Sequence, residues 1–173
     1  PCPEKGTASC CPHGTDDFLT WHRLYMVQLE ELMEPWLAGT NLGLPYWDWS
    51  KDWDTLPDLW EGMISPIKDS HAFYWNTTNC QGRDKDFSQR IKEESRKKDP
   101  LYKKISKISS SIQTTLRQQD FKQFWKSLSS NHNNIHRGLA CTMEPLEIAA
   151  YDPIFWLHHS YVDKVFADWQ GNH

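Results

Sequence analysis

Residues 129–138 read "SSNHNNIHRG", which sets His132 and His136 four positions apart. On a helix, residues i and i+4 lie one above the other, so two imidazoles at this spacing face the same way. The wider stretch "DFKQFWKSLSSNHNNIHRGL" predicts that helix. Phe121, Trp125, Leu128, His132 and His136 (or Ile135) continue one face until Gly138 ends it, and both histidines point into the core.

Three further segments share this period. "YDPIFWLHHSYVDKVFADWQ" opens with Asp152 as cap and Pro153 at the first helical position, and its inward set is Phe155, His159, Val162, Phe166 and Trp169. "TDDFLTWHRLYMVQLEELMEPW" offers Thr15, Asp16 or Asp17 as cap and places Phe18, His22, Tyr25, Leu29, Leu32 and Trp36 on its stripe. "DPLYKKISKISSSIQTTLRQ" carries Asp99 and Pro100 at its start, then Leu101, Ile105, Ile108, Ile112 and Leu116. Between these helices, "GTNLGLPYWDWSKDWDTLPDLWEG" reads as ordered loop with short turns, and residues 66–98 as a polar surface excursion. The fold expected is mainly α: a four-helix bundle with long ordered loops, forming one domain over residues 1–173.

Composition narrows the function. A net charge of -4 built from interspersed acids and bases leaves no basic stripe, which argues against nucleic acid as a partner. No apolar run approaches the roughly 18 residues needed to cross a bilayer, and the start "PCPEKGTASCC" lacks the basic and apolar regions of a signal peptide. Five cysteines, Cys2, Cys10, Cys11, Cys80 and Cys141, accompany the sequon "NTT" at Asn76. Together they predict a glycosylated protein of an oxidising compartment, secreted or in the lumen of a secretory organelle, with two disulfides and one cysteine left over.

A lone histidine on an apolar helix face is ordinarily a hydrogen-bonded core residue. Here several converge. His132 and His136 can grip one metal ion from adjacent turns, and His159 or His158 supplies a third imidazole, a set that suits copper, zinc or iron. A zinc peptidase needs Glu after the first histidine of such a pair, and this chain has Asn133 there, so the hydrolytic base is absent. A second pair, His13 and His22, lies nine residues apart at the first helix.

The wording around these histidines, "CCPHGTDDFLTWHRLYMVQLE", "LPYWDWS", "HNNIH" and "DPIFWLHHSYVDKVFADW", resembles the type-3 copper proteins: tyrosinases, catechol oxidases and molluscan hemocyanin units. The likeness covers about the first and last 50 residues in consistent order. It implies two copper ions, with His13 and His22 on the first and His132, His136 and His159 on the second. His158 is then a neighbour that hydrogen-bonds around the ligands, and Phe155, Trp156 and Phe166 form an aromatic shell. Cys11, two residues before His13, matches the cysteine that many members join to that histidine by a thioether, which leaves Cys2 with Cys10 and Cys80 with Cys141 as the implied disulfides. The first ligand of the first copper is expected upstream of residue 1, in a longer polypeptide, since neither His71 nor His173 occupies the matching place.

In function, the resemblance implies O2 activation and oxidation of o-diphenols, and in some members monophenols, to o-quinones. "HHSYVDK" and the compact interval from His136 to His159 are closer to tyrosinases. Gln123 stands where monophenol-hydroxylating members keep an acid, Asn133 is that acid's companion, and Leu146 in "TMEPLEI" is the expected gate for phenolic substrates. The alternatives are reversible O2 carriage, and a metal-poor structural domain of a larger extracellular protein.

Overall fold

The computed structural model describes residues 11–40, 42–51, 100–139, 143–146 and 149–173. Among the described residues the chain is helical and has no strand, as the 3.6-residue patterning requires. Helix α1 spans Phe18–Leu37, α2 Pro100–Leu116, α3 Phe121–Leu139 and α4 Pro153–Asn172, with a 3-10 turn at Ala149–Tyr151 before α4.

The helix starts follow local chemistry to different degrees. At α4 the Asp152 carboxylate accepts the Ile154 amide at 3.3 Å and Pro153 begins the helix, as predicted. At α1 the expected side-chain cap is absent: Asp17 occupies the position without bonding through its carboxylate, and the Phe18 amide instead reaches the Thr15 carbonyl at 3.3 Å. Gly138 does not end α3, which runs one residue further. The excursion expected at 66–98 lies outside the described residues.

Ring contacts set the direction of packing. Phe121 meets Trp169, Phe124 meets Phe166, His132 meets His159 and His136 meets Phe155, so α4 runs antiparallel to α3. On its other side α4 takes α1, also antiparallel, with Arg23 bridging to Asp163 at 2.6 Å while Tyr25 packs on Trp156. Partly exposed and screened by solvent, the Arg23 pair adds roughly 0–1 kcal/mol. Buried apolar side chains hold the interface: Phe18, Leu19, Met26, Ile154, Leu157 and Val162 are all within the core.

The stripe predicted for α1 holds only over its first half. Leu32 and Trp36 are 70% and 79% exposed. Tyr25 already meets Trp156 near the beginning of α4, so the last turns of α1 run past their partner helix. Phe166 also departs from expectation. It belongs to a cluster with Phe121 and Phe124 under the Arg23 guanidinium, away from the histidines.

A buried polar chain ties α2 to α3: Ser111 donates to the Asn131 amide oxygen at 2.8 Å, and Thr115 and Ser127 share a 2.6 Å hydrogen bond. The loop 42–51 is ordered, as read from its punctuation, and docks on α4 through the Trp47 amide and the Leu157 carbonyl at 3.2 Å.

Phe124 is fully buried and stacks on Trp169 with centroids 4.5 Å apart. Phe124→Ala is expected to lower stability by about 3–5 kcal/mol, read from urea unfolding. A loss under about 1 kcal/mol would contradict this packing.

Candidate metal centre

Five imidazoles converge where α1, α3 and α4 meet, and each has its Nδ1 committed to an oxygen. His22 Nδ1 lies 2.7 Å from the Phe18 carbonyl, His159 Nδ1 2.8 Å from Phe155, His136 Nδ1 2.6 Å from Met143 and His13 Nδ1 3.0 Å from Cys11. His132 Nδ1 lies 3.0 Å from the Asn133 side-chain oxygen. An oxygen acceptor demands a proton on Nδ1, so every Nε2 presents a lone pair.

Those lone pairs face one another. His132 Nε2 stands 3.0 Å from both His136 Nε2 and His159 Nε2. With Nδ1 protonated on all three rings, neither contact can be a hydrogen bond between neutral imidazoles. Protonation does not rescue them. Burial holds His132 and His159 well below their ordinary pKa, and holds His136 down to about 4. Three buried lone pairs aimed at one point are what a cation resolves, and ligand nitrogens roughly 3.3 Å apart suit an ion with metal–nitrogen bonds near 2 Å. The residues fit a metal.

The second set is more open. Cys11, His13 and His22 bring their ligand atoms within 4.8 Å of one another, and His22 stacks on His159 at 4.6 Å, so the two sets adjoin. Burial pushes the Cys11 thiol up to about 12 and His22 down to about 4. The Cys11 sulfur lies 3.1 Å from His22 Nε2 and 4.0 Å from His13 Nε2.

Neighbouring residues sort by position. His158 joins the cluster of His132, His136 and His159, but its own Nδ1 receives the Trp49 indole N–H at 3.0 Å. Phe155 stacks on His159 at 3.9 Å. A cavity of about 490 Å3 opens over the centre and touches His13 and His136, one histidine from each set. Phe155, Trp156, Trp21 and Tyr25 line it, and so does Leu146, which is 47% exposed.

Two expected contributors stand elsewhere. Gln123 is exposed at the start of α3, its amide bonded to Asp120, and neither it nor Asn133 lines the cavity. Asn133 instead holds His132. Cys2, Cys10, Cys80, Cys141, His71 and the sequon at Asn76 lie outside the described residues, and His173, exposed, stacks on Trp169 away from both sets. The structure adds Trp21, in the cavity wall, and Trp49, against His158. The spacing of Trp21 and Tyr25 beside His22 was an available signal for the first, and nothing local marks the second.

The pKa shifts have a consequence for the metal-free protein. In the unfolded chain His22 and His136 take up protons near 6.5, and in the fold only near 4, so their contribution to stability is complete above about 6.5 and is lost as pH falls through about 4. The thermal midpoint of the metal-free protein is expected to drop steadily across that interval, and a flat profile would contradict the neutral, buried cluster.

Comparison with known proteins gives the same picture. The common central domain of tyrosinase matches residues 2–172. Hemocyanin beta-C chain unit G of Helix pomatia is 35% identical over 97% of this chain and 40% of its own length. Hemocyanin 1 of Megathura crenulata is 35% identical over 99% of this chain and 5% of its length, and hemocyanin units G and H of Sepia officinalis 35% over 96% and 29%. The chain thus spans less than half of these relatives. With two adjoining histidine sets that could each hold a metal ion, it belongs to the type-3 copper family of tyrosinases and hemocyanins.

Proposed function

We propose that this domain, within a longer secreted or secretory-lumen polypeptide, binds two copper ions and uses them with O2 to oxidise o-diphenols to o-quinones. The observation that carries this reading is the cavity that reaches His13 and His136. A binuclear centre sealed from solution has no need of a substrate-sized opening. Copper bound there would seat O2 and relay to it the electrons that the diphenol gives up. The protein's own part is to bind and orient.

Trp21, Tyr25, Phe155 and Trp156 offer ring faces to a flat phenolic substrate, and Leu146 gates its entry. Asn133 orients His132, while the carbonyls of Phe18, Met143 and Phe155 orient His22, His136 and His159. A histidine upstream of residue 1 is proposed to complete the first copper. Among the described residues no carboxylate lines the cavity to deprotonate a monophenol, so diphenols are the favoured substrates. Reversible O2 carriage is the second reading, favoured by the relatives that are named hemocyanins.

Steady-state assay of the intact protein with a catechol and with tyrosine is expected to give diphenol oxidation well above monophenol hydroxylation. Gln123→Glu should change neither rate, because its side chain faces solvent. Oxygen binding without any quinone, even after mild proteolysis to open the site, would overturn the oxidase reading in favour of carriage.

The thioether between Cys11 and His13, the disulfides Cys2 with Cys10 and Cys80 with Cys141, and the glycan at Asn76 are proposed on the family resemblance. Peptide mapping of copper-loaded native protein after full reduction is expected to find Cys11 still linked to His13 and the other four cysteines as thiols. A freely alkylated Cys11 would rule the thioether out.

A further inference from the structure

His158 is separated from the three ligand histidines beside it by its proton, not by its place. It is fully buried, its ring stacks on His132 at 5.0 Å, and it meets His136 and His159 edge-on at 4.9 and 4.8 Å. Its ligand-capable nitrogen falls within 4.8 Å of those of His132, His136 and His159. By geometry alone the cluster holds four histidines.

Tautomer divides the four. The indole N–H of Trp49 is a donor only, so the 3.0 Å hydrogen bond to His158 Nδ1 requires a lone pair on that nitrogen and a proton on Nε2. This inverts the state of the other three rings, whose Nδ1 atoms face oxygens. The His158 Nε2–H is also the one buried side-chain polar atom among the described residues with no hydrogen-bond partner.

Trp49 is built to stay where it is. It is fully buried and packs edge-on against Tyr161 at 4.8 Å. The loop on both sides is pinned to α4: the Trp47 amide binds the Leu157 carbonyl, and Ser50, bonded to the Asp48 carboxylate at 2.6 Å, meets the Tyr161 hydroxyl at 2.7 Å. Moving the His158 proton to Nδ1 would set donor against donor in a space that has no slack.

We infer that Trp49 is a positioning residue that keeps His158 out of the coordination shell of the metal held by His132, His136 and His159, so that this site holds three imidazoles and retains an open coordination position. Four imidazoles close a metal site, whereas three leave room for an exogenous ligand. The consequence for coordination rests on the metal-binding reading above, while the tautomer does not depend on it.

Two measurements on the intact protein test the inference. In the metal-free protein, 15N NMR of the histidine rings is expected to place the His158 proton on Nε2 and to move it to Nδ1 in Trp49→Phe. In the copper(II) protein, azide binding followed by its charge-transfer band is expected to weaken by about tenfold or more in Trp49→Phe. The double variant Trp49→Phe/His158→Phe should restore it, which a merely structural role for Trp49 does not predict. A proton on Nδ1 of His158 in the unmodified protein overturns the inference even if the variants fail to fold. Unchanged azide affinity in a folded Trp49→Phe protein overturns it too. Failure of the unmodified protein to take up copper would sink the proposed function instead, and the NMR result alone then decides the tautomer.

Discussion

The hydrogen bonds on the far side of each imidazole are the constraint on which the centre depends. A neutral histidine has one proton to place, and in five rings an oxygen at Nδ1 decides where it goes. Two of these oxygens are carbonyls four residues back in the same helix, Phe18 for His22 and Phe155 for His159. The metal-facing tautomer is thus written into helix geometry. Burial acts in the same direction, because a desolvated imidazole resists protonation and keeps its lone pair.

α4 carries this arrangement because it lies between α1 and α3. Adjacent positions on a helix point about 100° apart, so His158 and His159, though both touch His132 and His136, reach beyond them in different directions. His159 turns toward His22 and closes the gap between the two histidine sets, and His158 turns toward the loop at Trp49. The aromatic load of the chain then has a division of labour. Phe121, Phe124, Phe166 and Trp169 pack one end of the bundle, while Trp21, Tyr25, Phe155 and Trp156 surround the opening at the other.

Four helices, the capping of α4 by Asp152 and the convergence of His132, His136 and His159 were legible from periodicity, since each depends on spacing within one helix. Of the apolar cavity wall, Leu146, Phe155 and Trp156 were legible in the sequence. The exposed end of α1 was not, because Leu32 and Trp36 obey the helical period and only the shorter reach of α4 leaves them uncovered. Gln123 was placed by the resemblance and not by periodicity: nine residues before His132 on a 3.6-residue helix lies about half a turn round from it, which is where α3 exposes it. Trp49 could not have been found locally, as its partner lies 109 residues away and the decisive fact is the direction of one proton.

The two histidine sets differ in what the fold has already done for them. At His132, His136 and His159 nearly all desolvation has been met during folding, which also brings the three ring nitrogens together. Such a site is held open by its surroundings at a cost to the metal-free protein, and binding an ion there returns that cost as affinity. At His13 and Cys11 the groups remain partly exposed and lie beside the cavity, where water and small molecules can reach them. The cavity joins the two, since it touches His136 in the buried set and His13 in the more open one, so a small molecule entering it meets both.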